Sequence, residues 1–415
     1  MLIAHNPVAS SGELLKRFAD ARAESDRLFA IIRPDSLYER PIADRHRIVF
    51  YLGHLEAFEG NLIRETIGSL PSFNPEFDRL FAFGIDPVGT ALPTDRPDEW
   101  PSLKEIRDYN QRLRDQIDAR DITDTRILNV AIEHRLMHCE TLAYMFHRLP
   151  LEQKLRPSTA PLAFSHGALQ QAVTEVPTGP ATLGLSPSSG TFGWDNEFDA
   201  HTSVIPDFAI DKYKVTNAQY LEFMQAGGYE NREWWTEADW DWKIANGIGH
   251  PAFWRPSGNA WRYRTMFDEI PLPPDWPAYV SHAEASAYTR AAGKKLPTEA
   301  QWQRAAEGTR PAGNTDFKSW DPAPVNAFPH TSSAFGAVEM IGNGWEWTST
   351  VFAPFAGFKP FPFYPGYSAN FFDGKHFVMK GGSPRTAACM LRPSFRNWFQ
   401  PHYPYVYAGF RCVDS

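Results

Sequence analysis

Two histidines, His134 and His138, stand four residues apart in the segment HRLMHCE. Residues at this spacing project from one side of an α-helix, so both imidazoles can reach the same ion. His54 lies in a second apolar segment, FYLGHLEAF, where burying an imidazole without a partner would be unfavourable. An isolated HxxxH pair is at least as often a solvated helix face, but His54 favours a metal site with open coordination positions.

The spacing does not select the metal, because neutral imidazoles suit zinc, iron, nickel and copper. Glu140 follows His138 by two residues, about 200° around a helix, so we expect it to point away from the ion and to have a structural role. His46 is eight residues before His54, too far along a helix to share the ion. We expect His46 to be solvated among its basic neighbours.

The first 150 residues are predicted to form a four-helix bundle, a usual location for metal ligands. Ser10 is the predicted N-cap of the first helix, and Ser102, with Glu105 three residues later, begins the third. The second and fourth helices should span about residues 44–67 and 123–148, and they carry the three histidines.

The rest of the chain is predicted to be an α+β domain with much irregular structure. Short strand-like segments alternate with turns, and helices should begin after caps at Thr216 or Asn217, at Ser281 and at Thr298. Pro150, together with two later prolines, interrupts any helix in between. The predicted division is a helical domain over 1–155, a linker over 156–171 and a second domain over 172–415.

Composition excludes several function classes. A formal net charge of -8 disfavours a general nucleic-acid partner, which would need a basic surface. The three cysteines fit a reducing compartment, and neither a signal peptide nor an apolar run long enough to span a membrane is visible. We expect a cytoplasmic monomer or small homo-oligomer that binds no nucleic acid and no membrane.

Five C-terminal segments carry a family resemblance. They are DKYKVTNAQYLEF (211–223), AGKKLPTEAQWQRAAEG (292–308), GNGWEWTS (342–349), GGS (381–383) and AGFRC (408–412). With them the C-terminal domain resembles the formylglycine-generating-enzyme (sulfatase-modifying factor) fold, which is C-type-lectin-like, and the N-terminal bundle resembles DinB-like domains. The fusion, with HRLMHCE matching HxxxHxE, resembles the ergothioneine-type sulfoxide synthases.

This resemblance implies a non-haem Fe(II) enzyme that uses dioxygen to join a thiol to imidazole carbon 2 of hercynine, the trimethylated histidine betaine. It also implies roles for individual residues. His54, His134 and His138 would bind the iron, and Tyr364 would donate a proton to the oxygen being reduced. The residues expected to line the betaine pocket are Phe50, Tyr367, Asn397 and Trp398, and aromatic faces suit a quaternary ammonium.

The sequence departs from relatives that use γ-glutamylcysteine. Those carry two neighbouring arginines after the second helix, where this chain has only the distant Arg79 and Arg96, and an Asp where this chain has Phe399. Met137 replaces a Gln near the betaine. A donor with two carboxylates would find little to neutralise it. The resemblance therefore points to the selenoneine synthase branch, whose donor is a selenosugar.

Alternative functions stay open at this stage. A sulfoxide synthase using cysteine or γ-glutamylcysteine could replace the missing arginines with Arg385, Arg392 or Arg396. A zinc-dependent DinB-type thiol transferase would need no oxygen. A formylglycine-type oxidase would need an active-site cysteine pair, which Cys389 and Cys412 do not obviously provide, and the three histidines argue against a pure binding module.

Overall fold

The computed structural model describes residues 10–68, 70–82, 94–158, 164 and 167–414 of the chain. It separates into two compact units, Met1–Ser158 and Thr159–Ser415. Pro161, in the predicted linker, lies outside the described residues. In the part of the chain that is described, none of the helices combines the length and the hydropathy that crossing a bilayer requires.

Helices make up most of the described N-terminal unit. The longest, α5, packs against α1 and α2, and α2 also packs against α4, which confirms the helical bundle. Ser10 caps α1, and Ser102 forms a complete capping box with Glu105 at the start of α4, as predicted. The helices are α1 (Ser11–Phe29), α2 (Ile48–Ile67), α3 (Pro75–Leu80), α4 (Leu103–Asp118) and α5 (Thr125–Arg148).

Two features of this unit differ from the sequence expectation. Helix α2 begins at Ile48 rather than near residue 44, because Arg45 is buried in a turn, where its guanidinium donates to the Tyr144 hydroxyl at 2.9 Å. Helix α3 was not predicted. Its N-cap Asn74 accepts from the Phe77 amide, and Pro75 supplies a favourable first residue.

The C-terminal unit has short strands and helices joined by long irregular segments, which confirms the α+β prediction. The helices are α6 (Asn217–Gln225), α7 (Glu237–Ala245), α8 (His282–Ala291) and α9 (Glu299–Ala305). The strands are β1 (Val173–Val176), β2 (Gly179–Leu183), β3 (His201–Ile205), β4 (Phe208–Asp211), β5 (Trp254–Ser257), β6 (Ala260–Arg264), β7 (Glu269–Pro271), β8 (Trp345–Val351), β9 (Phe377–Lys380), β10 (Asn397–Phe399), β11 (Ala408–Gly409) and β12 (Val413–Asp414).

Four small sheets organise these strands. Their orders are β1-β4-β12, β10-β9-β8-β11, β2-β3 and β5-β6-β7. Capping boxes begin α6 at Thr216, α8 at Ser281 and α9 at Thr298, so the sequence located these starts and Thr216 is the cap of α6. A buried apolar cluster around Trp302 of α9 joins this helix to β4 and β12. This frame supports the loops on either side of β8, β9 and β10.

Candidate active site

The three histidines predicted to bind metal come together in the N-terminal unit. His54 projects from α2, and His134 and His138 project from α5. One ligating nitrogen from each ring lies within 4.8 Å of the others, and the Nε2 atoms of His134 and His138 are 3.2 Å apart. Two imidazole nitrogens bound cis to one ion at 2.1 Å would be about 3 Å apart. The donor set therefore fits a single metal ion.

A backbone carbonyl fixes the orientation of His54. Its Nδ1 lies 2.7 Å from the Phe81 carbonyl, so this nitrogen carries the proton and Nε2 keeps the lone pair that a metal needs. The Nε2 atom is buried and makes no hydrogen bond. Gly53 permits this arrangement, because a Cβ atom there would lie 2.6 Å from the Phe81 ring.

Two phenylalanines of α2 hold the histidine rings. Phe58 stacks on His134 with ring centroids 3.4 Å apart, and Phe50 stacks on His54 at 5.0 Å. Phe50 also stacks on the imidazole of His46, with ring centroids 4.1 Å apart. The expectation that His46 is solvated was therefore wrong, since it is half-buried against this ring. Phe50 is 1% exposed, and its predicted contact with the betaine stays a prediction.

A buried network of charges lies next to the histidines. Arg135, which follows His134, donates to Glu59 at 2.6 Å and to Glu56 at 2.8 Å. Glu59 also accepts from Arg22 of α1, and Glu56 accepts from Arg114 of α4. The four long helices are thus joined by ion pairs. Burial tends to raise the pKa of Glu56, but Arg135 and Arg114 outweigh it and lower that pKa to about 2.

The electrostatics keep the histidines neutral. Burial lowers the pKa of His54 to about 4, and burial with neighbouring positive groups lowers the pKa values of His134 and His138 well below the ordinary value. Glu140 is buried but is not a member of the three-histidine cluster, as its helical phase predicts. Neutral imidazoles are the protonation state that binds a metal ion.

The predicted proton donor and two of the predicted substrate-binding residues come together in the C-terminal unit. Tyr364 and Tyr367 have ring centroids 5.7 Å apart in the loop after β8, and Tyr367 meets Trp398 of β10 edge to face at 5.5 Å and 81°. Phe352 covers one face of Trp398 at 4.2 Å. Tyr367 and Trp398 therefore form a right-angled aromatic corner.

The other predicted residues have less distinctive surroundings. Asn397 uses its side-chain oxygen to accept from the Trp398 amide at 2.9 Å. Phe399 is the next strand residue and stacks on Tyr403 at 5.1 Å, and successive strand residues face opposite sides. Met137 is half-buried on α5, beside His138 in the chain.

Burial also affects Tyr364. Desolvation, followed by the negative charge of Asp195, raises the pKa of its phenol to about 12. The group is therefore protonated at neutral pH and can act as a proton donor.

Comparison with known proteins agrees with the division into a helical and an α+β unit. Residues 17–126 match the DinB superfamily, and residues 163–415 match the sulfatase-modifying factor enzyme 1-like domain. The protein named hercynine oxygenase of Mycolicibacterium thermoresistibile is 36% identical over an alignment of 312 positions, which covers 70% of this chain and 69% of that protein. The hercynine oxygenase of Mycolicibacterium smegmatis is 36% identical over an alignment of 309 positions, which covers 68% of this chain and 70% of that protein.

The chain belongs to the hercynine oxygenase family. The chain is also similar to ergothioneine biosynthesis protein 1 of Neurospora crassa, which is 28% identical over 91% of this chain but only 55% of its own length. In this chain, the DinB match ends at the start of α5, before His134 and His138.

Sequence reasoning missed several residues that shape the site. Phe58 could have been found, since it follows His54 by four residues on the same side of α2. The contact between Gly53 and Phe81 had no local signal, because the two residues are brought together only by the fold. The same holds for Trp194, which stacks on Tyr367 at 3.9 Å.

Proposed function

We propose that this chain is a non-haem Fe(II), dioxygen-dependent oxidoreductase that forms a carbon–selenium bond at imidazole C2 of hercynine. The donor would be a selenosugar, as in selenoneine biosynthesis. The observation that carries the proposal is the convergence of three buried, neutral histidines in a chain whose relatives are named hercynine oxygenase and ergothioneine biosynthesis protein 1. Those names support hercynine as substrate and an oxidative reaction.

His54, His134 and His138 would hold the iron. When bound, the iron would supply open coordination positions and the redox chemistry by which dioxygen oxidatively couples the donor atom to imidazole C2 of hercynine. The chain contributes the fixed placement of the three imidazoles. The Phe81 carbonyl and the stacked rings of Phe50 and Phe58 restrain His54 and His134 before any ion binds.

The aromatic corner of Tyr367 and Trp398 would bind the trimethylammonium group of hercynine. A quaternary ammonium has no hydrogen to donate, so its attraction to a protein comes from the electron-rich faces of aromatic rings. The two rings meet at 81°, and their aromatic faces would supply this attraction. Packing against Phe352 and Trp194 holds the two rings in place.

The arginines of the C-terminal unit favour a donor that carries no carboxylate groups. Arg392 donates to Glu197 at 2.8 Å, and Arg396 donates to both carboxylate oxygens of Glu299 at 3.0 and 3.1 Å. Arg385 stacks on Trp320 at 3.9 Å and donates to a backbone carbonyl. These guanidinium groups are already engaged within the unit. They are therefore poor replacements for the arginine pair that would bind the carboxylates of γ-glutamylcysteine.

Tyr364 would donate the proton that the reduction of oxygen consumes. Its phenol is protonated at neutral pH because of burial and of Asp195, so it holds the proton until it is needed. A positioned proton donor of this kind contributes about 10²- to 10⁴-fold to a rate.

The test is an aerobic incubation of iron-loaded protein with hercynine and, separately, a selenosugar, cysteine or γ-glutamylcysteine, followed by mass spectrometry. We expect a selenium adduct of hercynine in the first reaction, loss of that product without oxygen, and little product from γ-glutamylcysteine. Efficient use of either thiol would replace the selenosugar assignment with a sulfoxide synthase. Transfer of a thiol without oxygen by the zinc-loaded protein would overturn the oxidative proposal.

A further inference from the structure

Four consecutive residues, Trp194–Glu197, form a completely buried turn in the C-terminal unit. The relative exposures of these side chains are 0% for Trp194, 1% for Asp195, 1% for Asn196 and 0% for Glu197. Two carboxylates so close together are seldom buried unless each has a partner. We call these four residues the 194–197 turn, and its partners lie in two loops far along the chain.

The first half of the turn holds the loop that carries the two tyrosines. Trp194 stacks on Tyr367 with ring centroids 3.9 Å apart, and it meets Tyr364 edge to face at 6.4 Å. Asp195 accepts a hydrogen bond of 2.6 Å from the Ser368 hydroxyl, and Ser368 is 0% exposed. Trp194 therefore restrains the ring of Tyr367 in this loop, and Asp195 restrains the loop at Ser368.

The second half of the turn holds the segment that leads into β10. Glu197 accepts from Arg392 at 2.8 Å and from the Ser394 hydroxyl at 2.6 Å. These partners come shortly before Asn397, where β10 begins. Asp195 therefore contacts the tyrosine loop, whereas Glu197 contacts the segment before β10.

We propose that the 194–197 turn positions the tyrosine loop and the segment entering β10, so that Tyr364, Tyr367 and Trp398 meet the substrate as one unit. The expected effect on catalysis rests on the proposed function, whereas the expected effect on the mobility of the two loops does not. Asp195 and Glu197 are positioning residues, since each acts through loop partners. The alternative is that the turn only stabilises the core.

The two explanations differ in which residues should become more mobile when one carboxylate of the turn is changed. Breaking a buried charged contact leaves the partner group poorly compensated, and the loss is felt first where that partner lies. A positioning turn therefore predicts a crossed pattern, in which Asp195→Asn loosens residues 361–368 and Glu197→Gln loosens residues 392–398. A purely stabilising turn predicts the same increase in motion throughout the unit for both variants.

The experiment is hydrogen–deuterium exchange by mass spectrometry on the full-length protein, comparing Asp195→Asn, Glu197→Gln and Ser368→Ala with the unmodified chain. The matched control is Glu284→Gln, which removes a carboxylate that is also 1% exposed and accepts from Tyr229 at 2.6 Å in the same unit. We expect at least tenfold faster exchange in the loop facing each altered residue and no selective change in either loop for the control. Ser368→Ala keeps all charges, so it tests the first loop even if Asp195→Asn folds poorly.

Kinetics with hercynine add a second measurement. We expect kcat to fall about tenfold or more in Asp195→Asn and Glu197→Gln, and Asp195→Asn combined with Ser368→Ala to be no worse than the more damaging single change. Uniform loosening of the unit, or unchanged exchange in both loops, would overturn the positioning role. If the unmodified chain forms no product from hercynine, the proposed function fails, whereas the exchange pattern still decides whether the turn positions the loops.

Discussion

The three histidines of the N-terminal unit project from two long helices, whereas Tyr364, Tyr367 and Trp398 project from a loop and a three-residue strand of the C-terminal unit. In the helices, regular backbone geometry sets the spacing of the ligands, and neighbouring side chains only refine it. In the loops, the backbone has no repeating geometry, so distant residues such as Trp194 and Asp195 must fix the positions. Placement of His134 relative to His138 is therefore set locally within α5, whereas placement of the loop residues depends on long-range contacts.

The largest effect should come from breaking the helical site at one ligand. We expect His138→Ala to lower the affinity for Fe(II) by more than about 100-fold and to abolish product formation, since loss of even an outer partner of a ligand costs about 10- to 100-fold. Metal analysis and calorimetric titration measure this. His201→Ala, which changes an exposed histidine, is the control. Unchanged iron binding by His138→Ala would contradict the proposed metal site.

A change at Tyr364 in the loop should reduce product formation nearly as much but should leave iron binding unchanged. We expect Tyr364→Phe to reduce carbon–chalcogen bond formation by about 10²- to 10⁴-fold, or to divert turnover toward oxidation of the donor, with iron binding unaffected. Product analysis by mass spectrometry, alongside iron content, distinguishes these results. Full retention of product formation would discard the role of Tyr364.

A third experiment asks how much the ion pairs stabilise the helical region. Glu59 is 0% exposed and is bonded to Arg22 and Arg135. We expect Glu59→Gln to lower the free energy of unfolding of this unit by roughly 3 kcal/mol, because it leaves buried arginine charge uncompensated. Urea unfolding followed by circular dichroism measures the change. Glu65→Gln, at an exposed position of the same helix, should leave the transition where it is.

Two glycines of α2 allow a matched test of the support for His54. An added Cβ at Gly53 would lie 2.6 Å from the Phe81 ring, and one at Gly60 would lie 2.9 Å from the Leu113 side chain. Both alanine variants should lose about 1–3 kcal/mol of stability through overpacking. Only Gly53→Ala should also weaken iron binding, by about 10- to 100-fold, because it displaces the carbonyl that orients His54. Equal iron affinities in the two variants would contradict this.

The smallest effect concerns pH. Burial and Asp195 raise the pKa of Tyr364 to about 12, so its proton is retained up to about pH 11, whereas an ordinary tyrosine would lose it near pH 10. We expect kcat to change less than about twofold between about pH 8 and about pH 10 on account of this group. A loss of activity near pH 10 that is missing from the residual turnover of Tyr364→Phe would show that the phenol titrates normally.

The sequence predicted the features that depend on local signals better than the features that depend on long-range contacts. The caps at Ser102, Ser281 and Thr298 and the HxxxH spacing are local signals, and the structure confirms these helix starts and the grouping of the histidines. The start of α2 was misplaced because a tertiary contact of Arg45 competes with helix propensity. The 194–197 turn had no local signal at all, because its partners lie about 170 to 200 positions further along the chain.

Three uncharged imidazoles would leave the positive charge of the proposed Fe(II) unneutralised, because the carboxylates of Glu56 and Glu59 are already paired with arginines. Glu56 and Glu59 share their charge with arginines of three helices. A centre built in this way would attract small anions from solution, so azide, cyanide or fluoride should compete with the negatively charged donor atom. If the proposed iron binds here, the same ion pairs that stabilise the bundle would make the site sensitive to inhibition by small anions.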